Sequence, residues 1–303
     1  MQVQQTVREH ELLRRSFTIW LQASGKSLGT IRRYDLSVRL WEDYARKANF
    51  PFPPTREHVT EFLAHRRETQ APNTARNDHV GLSVWFKWLR EEGEIKENPL
   101  EHVSAPPVNM ATPDPYTADE VQAMLRACQG RSFDALRNTA IISVLTDTGL
   151  RSSEFCALQV DDVELRAESI VVRGKGGKER RVRIGSRAQL AVDRFLRARR
   201  GRSTSPYLWV SRIGQPLTPN GVFQIIRRVC HLANIANPGV HRFRHTAATF
   251  MAEADADDSD LMLLFGWSTH SMAMRYTAYK AQERALRAHR RFSPMDNLDS
   301  KAK

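Results

Sequence analysis

The chain has 303 residues and carries 46 Lys and Arg against 34 Asp and Glu, a formal net charge of +12 at pH 7. With 41% hydrophobic and 26% charged residues, it has the composition of a globular protein with room for two domains. It has no apolar run of about 18 residues and no apolar stretch in the opening MQVQQTVREHELLRR, so membrane-span and signal-peptide readings are excluded and a cytoplasmic location is expected.

Four helical patterns fill the first hundred residues. The first covers residues 7–23, with Leu12, Leu13, Phe17, Trp20 and Leu21 on one apolar stripe. The second covers 28–48, where Ile31, Tyr34, Val38, Trp41 and Tyr44 recur at helical spacing. A third starts after Pro53-Pro54 with Thr55 as its N-cap and turns Val59, Phe62 and Leu63 inward. The fourth, over 74–92, carries Val80, Val84, Trp85, Trp88 and Leu89. Arg and Lys cover the opposite faces, so the aromatics read as core rather than as platforms for stacking bases. Residues 1–103 form a helical domain on this reading.

Residues 104–115 (SAPPVNMATPDP) hold four prolines and no periodicity, and read as a linker. Thr117 and Glu120 then have capping-box spacing ahead of Val121, Met124 and Leu125, so a second domain, 116–292, begins here. It opens with helices at 117–128 and 134–148, the latter stopped by Gly149. Two β-rich runs, 169–173 and 181–184, flank Gly174-Lys-Gly-Gly177 and make a hairpin. Helices follow at 186–200, 219–234 (Thr218 as N-cap, Pro219 in the first turn), 241–253, 259–265 and 271–290, with 293–303 as a flexible tail. The fold class is mainly α with a small antiparallel β-sheet. Cys128, Cys156 and Cys230 are far apart and form no CxxC pair, so they read as reduced core residues. Between Arg166 and Arg202 there are thirteen Lys and Arg against three Asp and Glu, so the charge is a patch suited to a polyanion. On charge alone, a solvated basic helix face explains it equally well.

Taken singly, the polar motifs are weak. Arg151 in TGLRSSE follows a helix stop, where an arginine is often a mere charge partner. His241 and His245 in HRFRH sit four apart like half a zinc site, but Arg242 stands where a Glu would and no third ligand is evident, so no metal is expected. GKGGK lacks the remainder of a phosphate loop, so no nucleotide cofactor is expected either. Tyr276 and Tyr279 would ordinarily be packing residues. Together these segments are far more specific. TGLRSSE, GKGGKER, HRFRH and FGW-x8-Y occur in the order of the tyrosine recombinase catalytic domain, and the intervals fit: 24 residues from Arg151 to Lys175, three from His241 to Arg244, 23 to Trp267 and nine to Tyr276. Over about 116–290 the chain resembles that family, the phage-integrase type. The first domain resembles the family's core-binding domain only in helix count and position.

The resemblance implies a DNA breaking-rejoining fold and a DNA strand-transferase needing neither ATP nor metal. Two guanidiniums suit a transition state whose charge spreads over non-bridging oxygens, because they bind bidentately and stay charged. Arg151 and Arg244 match the phosphate-binding arginines, and His241 matches the histidine assisting proton movement and phosphate contacts. Tyr276 matches the nucleophile, a phenol that a cationic pocket is expected to activate. Lys175 matches the hairpin lysine that protonates the departing 5′ oxygen, with Lys178 as competing candidate. Trp267 stands where many members carry a second histidine; its indole N–H donates but cannot shuttle a proton. Glu154 and His245 match supporting positions, and His245 reads as structural. The implied partners are double-stranded DNA at attachment-type sites, further copies of the chain in a tetrameric synapse, and a possible directionality factor, in a nucleoid-associated setting. In related recombinases a C-terminal helix docks into the neighbouring subunit, and the stripe within 281–292 fits that use, with docking against its own domain as the alternative. The start of the chain leaves little room for an arm-binding domain, so a compact integrase of a phage or mobile element is expected, ahead of a plasmid or chromosome-dimer resolvase. A topoisomerase-like nicking-resealing protein shares the chemistry, and a catalytically silent DNA-binding regulator shares the fold.

Overall fold

The computed structural model describes residues 2–105 (2–10 as backbone only), 114–174 and 179–278, with Ala285, Leu286, His289 and Met295 beyond them. Proximity of Cα atoms divides the chain into two units, Met1–Ala111 and Thr112–Lys303. Residues 106–113 of the expected linker lie outside the described residues. Among the described residues, no helix is long and apolar enough to cross a membrane.

The first unit holds helices α1 (Gln2–Ala23), α2 (Leu28–Lys47), α3 (Arg56–Thr69) and α4 (Pro72–Glu91). Ser27 and Thr55 cap α2 and α3 by accepting backbone N–H bonds from Thr30 and His58. The expected stripes meet in a core of Phe17, Leu21, Val38, Trp41, Phe62, Leu82, Trp85, Phe86 and Trp88. Phe17 meets Trp85 edge-on at 5.0 Å, and Trp41 meets Phe62 likewise at 5.6 Å. Such pairs add about 0.5–1.5 kcal/mol beyond area burial. Leu12 and Val80 depart from expectation, at 62% and 40% exposed: their stripes are wider than the surface the neighbouring helices cover. Between α2 and α4, Gly81 lets the backbones approach, since a Cβ there would lie 2.8 Å from Ser37 Cβ. Buried Asp78 accepts from Ser37 of α2 and Arg66 of α3, tying three helices together.

The second unit begins with α5 (Ala118–Ala127), whose Thr117–Glu120 capping box forms as expected, and α6 (Phe133–Thr148). Ala140, Ile141, Ile142, Val144 and Leu145 of α6 are all fully buried, because α8 (Ser186–Arg199) and α10 (Val240–Glu253) both pack against it. Four short elements are additional to those expected: α7 (Ser152–Ala157), β1 (Val163–Glu164) and single 3-10 turns at Val160–Asp162 and Leu165–Ala167. β1 pairs antiparallel with β2 (Ser169–Arg173), and β2 with β3 (Glu179–Arg183), in the order β1-β2-β3. The return strand therefore starts two residues earlier than alternation indicated. Ile170, Val172 and Val182 face the core. Helices α9 (Pro219–Leu232), α11 (Asp258–Phe265) and α12 (His270–Thr277) complete the unit. The part of the expected 271–290 helix beyond Ala278 lies outside the described residues, apart from exposed Ala285, Leu286 and His289. Cys128, Cys156 and Cys230 are free and buried.

Candidate active site

Gly149 ends α6 in the left-handed region at φ 55°. The turn brings Arg151 to the N-cap of α7, where Glu154 accepts its backbone N–H at 3.1 Å and its Nη1 at 2.9 Å. Arg151 Nη2 also donates to the Gly266 carbonyl at 3.4 Å, and the side chain stays 43% exposed. A second guanidinium rises from α10. Arg244, 3% exposed, donates from Nη1 to the Gly149 carbonyl at 3.0 Å and from Nη2 to the Phe265 carbonyl at 2.7 Å. These carbonyls sit at the C-terminal ends of α6 and α11, where helix dipoles favour a cation. The two bonds use two of the five N–H donors of the fork.

Gly149 is also a point of close approach. A Cβ there would overlap the Phe265 ring and lie 3.0 Å from Ala247 Cβ and 3.3 Å from Arg244 Cα. Gly149→Ala is therefore expected to cost roughly 1–2 kcal/mol for the left-handed backbone and about 1–3 kcal/mol for overpacking. A melt should read the loss, because the added methyl displaces Phe265 and the Arg244 backbone beside it.

Past α11, Phe265, Trp267 and Tyr276 form a ladder of rings, with centroids 4.8 Å and then 5.4 Å apart and planes within 16° and 6° of parallel. The Arg244 guanidinium carbon lies 4.9 Å from the Phe265 ring centre and 5.2 Å from that of Trp267. His241 and His245, on the same face of α10 as Arg244, meet edge to face at 4.8 Å. His245 Nδ1 lies within hydrogen-bond reach of Tyr276 Oη. Arg151, His241, Arg244, Trp267 and Tyr276 are thus drawn together from α7, α10, the turn after α11, and α12. Lys175 and its competitor Lys178 lie outside the described residues.

The electrostatics are cationic. Burial, and then the Arg151 charge, push Arg244 down to about 10, which leaves it charged at neutral pH. Burial, followed by Arg244 and Arg151, holds the His241 imidazole below its ordinary value. Burial also raises the Tyr276 phenol above its ordinary value, and the opposing charges of Arg244 and Arg275 do not overcome it. In the free protein desolvation therefore outweighs the cationic surroundings at this phenol.

Sequence reasoning missed Arg180. It shares a strand face with buried Val182, and its side chain is only 15% exposed. Its Nη1 and Nη2 donate to the two Glu154 oxygens at 3.1 and 2.9 Å, and its Nε to the Leu264 carbonyl at 3.0 Å. Burial would raise the Glu154 carboxyl, but bonds and charge from Arg180 and Arg151 outweigh it and hold it low. The carboxylate thereby fixes one face of Arg151. Period-two alternation was the signal for Arg180, obscured by its basic neighbours. Among the described residues, no cluster of three or more His, Cys, Asp or Glu is disposed to hold a metal ion.

Comparison with known proteins places this geometry in context. The family described as "Phage integrase family" matches residues 116–283. Tyrosine recombinase XerC 2 of Ralstonia nicotianae is 31% identical over 272 residues, covering 85% of this chain and 78% of that protein. Among solved structures, XerH site-specific recombinase bound to palindromic difH substrate in a post-cleavage complex superposes with a TM-score of 0.72 at 21% identity, covering 88% of this chain and 81% of that one. The Tn1549 transposon integrase in complex with transposon right end DNA gives 0.72 at 21%, covering 93% and 99%. At these identities the two structures show a shared fold.

Proposed function

The chain belongs to the phage integrase family of tyrosine recombinases, which are DNA strand-transferring enzymes, and from that premise we propose that Tyr276 is its nucleophile and that it integrates and excises phage or mobile-element DNA. The observation that supports the site reading most is the gathering of Arg151, Arg244 and Tyr276 around the stops of α6 and α11. Tyr276 attacks the scissile phosphate to give a 3′-phosphotyrosyl link and a free 5′ hydroxyl. Arg151 and Arg244 clamp the non-bridging oxygens, where charge develops. His241 adds a phosphate contact, the Trp267 indole N–H a further donor, and Lys175 protonates the departing 5′ oxygen. The 5′ hydroxyl of a partner duplex then reverses the attack, and two rounds on four subunits pass through a Holliday junction. The bond to tyrosine conserves the energy of the broken one, so no ATP is consumed. Residues 1–103 would serve as a core-type DNA-binding domain, with affinity dominated by phosphate contacts and sensitive to salt. A directionality factor would bias integration against excision.

Resolution of plasmid or chromosome dimers is the second reading, favoured by the relative named XerC. The test supplies the full chain with two differently labelled duplexes carrying candidate attachment sites. Recombinant junction strands without ATP are expected. Nicking and resealing with no exchange would overturn recombination in favour of a topoisomerase activity. Exchange confined to two directly repeated sites on one molecule would select the resolvase.

A further inference from the structure

A phenol that attacks phosphorus must lose its proton, and burial makes the Tyr276 proton harder to lose. The slot around the ring contains a recipient. Trp267 stacks on the ring face, while His245 reaches the oxygen end with Nδ1, its ring centre 5.8 Å from that of the tyrosine. His245 is 7% exposed and held by α10, four residues from His241 and next to Arg244. We propose that His245 is the base that takes the Tyr276 proton, and that arrival of the DNA phosphate makes it basic enough to do so. This rests on the reading of Tyr276 as nucleophile, and it divides the two histidines: His241 meets phosphate, His245 meets phenol.

The groups facing His245 supply the gating. On its own helix these are His241 and Arg244, and from α12 they are Tyr276 and Arg275. Asp258 of α11 is engaged by Thr277 and His270, and Asp147 of α6 by the Gly185 N–H. Burial first, and then these positive neighbours, push the imidazole down to about 4 in the free protein. It is therefore neutral at physiological pH, and its Nδ1 can accept a hydrogen bond in the tautomer protonated on Nε2, yet it is too weak a base to ionise the phenol. A phosphodiester bound between Arg151 and Arg244 places negative charge among the same cations, which stabilises an imidazolium. The step balances. As the Oη–P bond forms, the Oη proton passes to Nδ1; as the P–O5′ bond breaks, the 5′ oxygen gains a proton from the general acid. On rejoining, the P–O5′ bond forms as the Oη–P bond breaks, the attacking 5′ hydroxyl gives its proton back to the deprotonated general acid, and the imidazolium returns its proton to Oη. The idle nucleophile thus stays protonated until its substrate is in place.

The test compares His245→Asn with the parent in single-turnover cleavage of a nicked duplex that traps the covalent adduct, across pH 6 to 9 (about the range flanking neutrality). DNA binding should be unchanged, and cleavage at neutral pH should fall on the order of 10²-fold. The variant's rate should climb steadily with pH, whereas the parent's should level off. A fluorinated tyrosine at position 276, whose phenol ionises more readily, should restore most of the loss in His245→Asn. A purely structural role would leave the pH profile unaltered and the loss unrescued; either outcome overturns the proposal. In the otherwise native chain, the same fluorotyrosine should leave the acidic limb in place, since that limb belongs to His245. A limb that moves with the phenol overturns the proposal even if His245→Asn fails to fold. Tyr276→Phe is run in parallel. If it still forms adduct, the nucleophile reading falls and this proposal with it; if it is inert while His245→Asn is unimpaired, only this proposal falls.

Discussion

Tyr276→Phe is expected to abolish the covalent DNA adduct while leaving DNA affinity where it was. The substitution removes one oxygen, and that oxygen is the attacking atom. The ring keeps its near-parallel stack on Trp267, so the slot should stay filled. Affinity is expected to come mainly from phosphate contacts, and a single phenol hydroxyl contributes little to those. The loss of the contact to His245 costs about 1 kcal/mol, with a somewhat larger penalty if Nδ1 is left unpaired. A modest drop in melting temperature should therefore accompany a complete loss of chemistry. Tyr279→Phe, at a residue outside the described ones, should retain adduct formation. Gel-shift and adduct assays on one nicked duplex read both quantities together, and an exchange of the two phenotypes would refute the assignment.

Arg244→Lys should give the next largest effect, a fall in cleavage rate on the order of 10²–10³-fold. Arg244 has two tasks. It satisfies the Gly149 and Phe265 carbonyls, and it has donors left over for a phosphate. A lysine keeps the charge but is a point donor, unable to span both carbonyls and clamp two oxygens in a plane. Each buried acceptor left unmet costs about 1–3 kcal/mol, so Arg244→Ala is expected to melt markedly lower. The lysine variant separates the tasks: a folded protein with weak cleavage supports a phosphate role, and full-rate cleavage would contradict it. Single-turnover rates beside thermal melts make the comparison.

Much of this organisation is local chemistry that the sequence displays. Thr55, Thr117 with Glu120, and Thr218 before Pro219 mark helix starts because their side chains bond to the next turn. Gly149 marks a stop because its backbone is left-handed. The motif order singles out Arg151, His241, Arg244, Trp267 and Tyr276, and the fold brings these side chains together. What escaped notice lacks a local signature. Helix α7 has six residues and β1 two, too short to show a period. Arg180 looked like one more charge in a basic hairpin, since its partner Glu154 lies 26 residues away and meets it only in the fold. The contact of His245 with Tyr276 has no local signature either, since it exists only because α12 returns to α10. The state of the phenol depends on burial against cationic neighbours, and only the packed structure decides that balance.

The most direct test of the account is the chemical identity of the adduct. The full chain is reacted with a nicked duplex bearing a candidate attachment site, digested with protease, and the DNA-linked peptide is sequenced by mass spectrometry. The account predicts a 3′-phosphotyrosyl bond at Tyr276 with a free 5′ hydroxyl across the break. A bond at any other residue, a 5′ linkage, or intact binding with no adduct at all would contradict it.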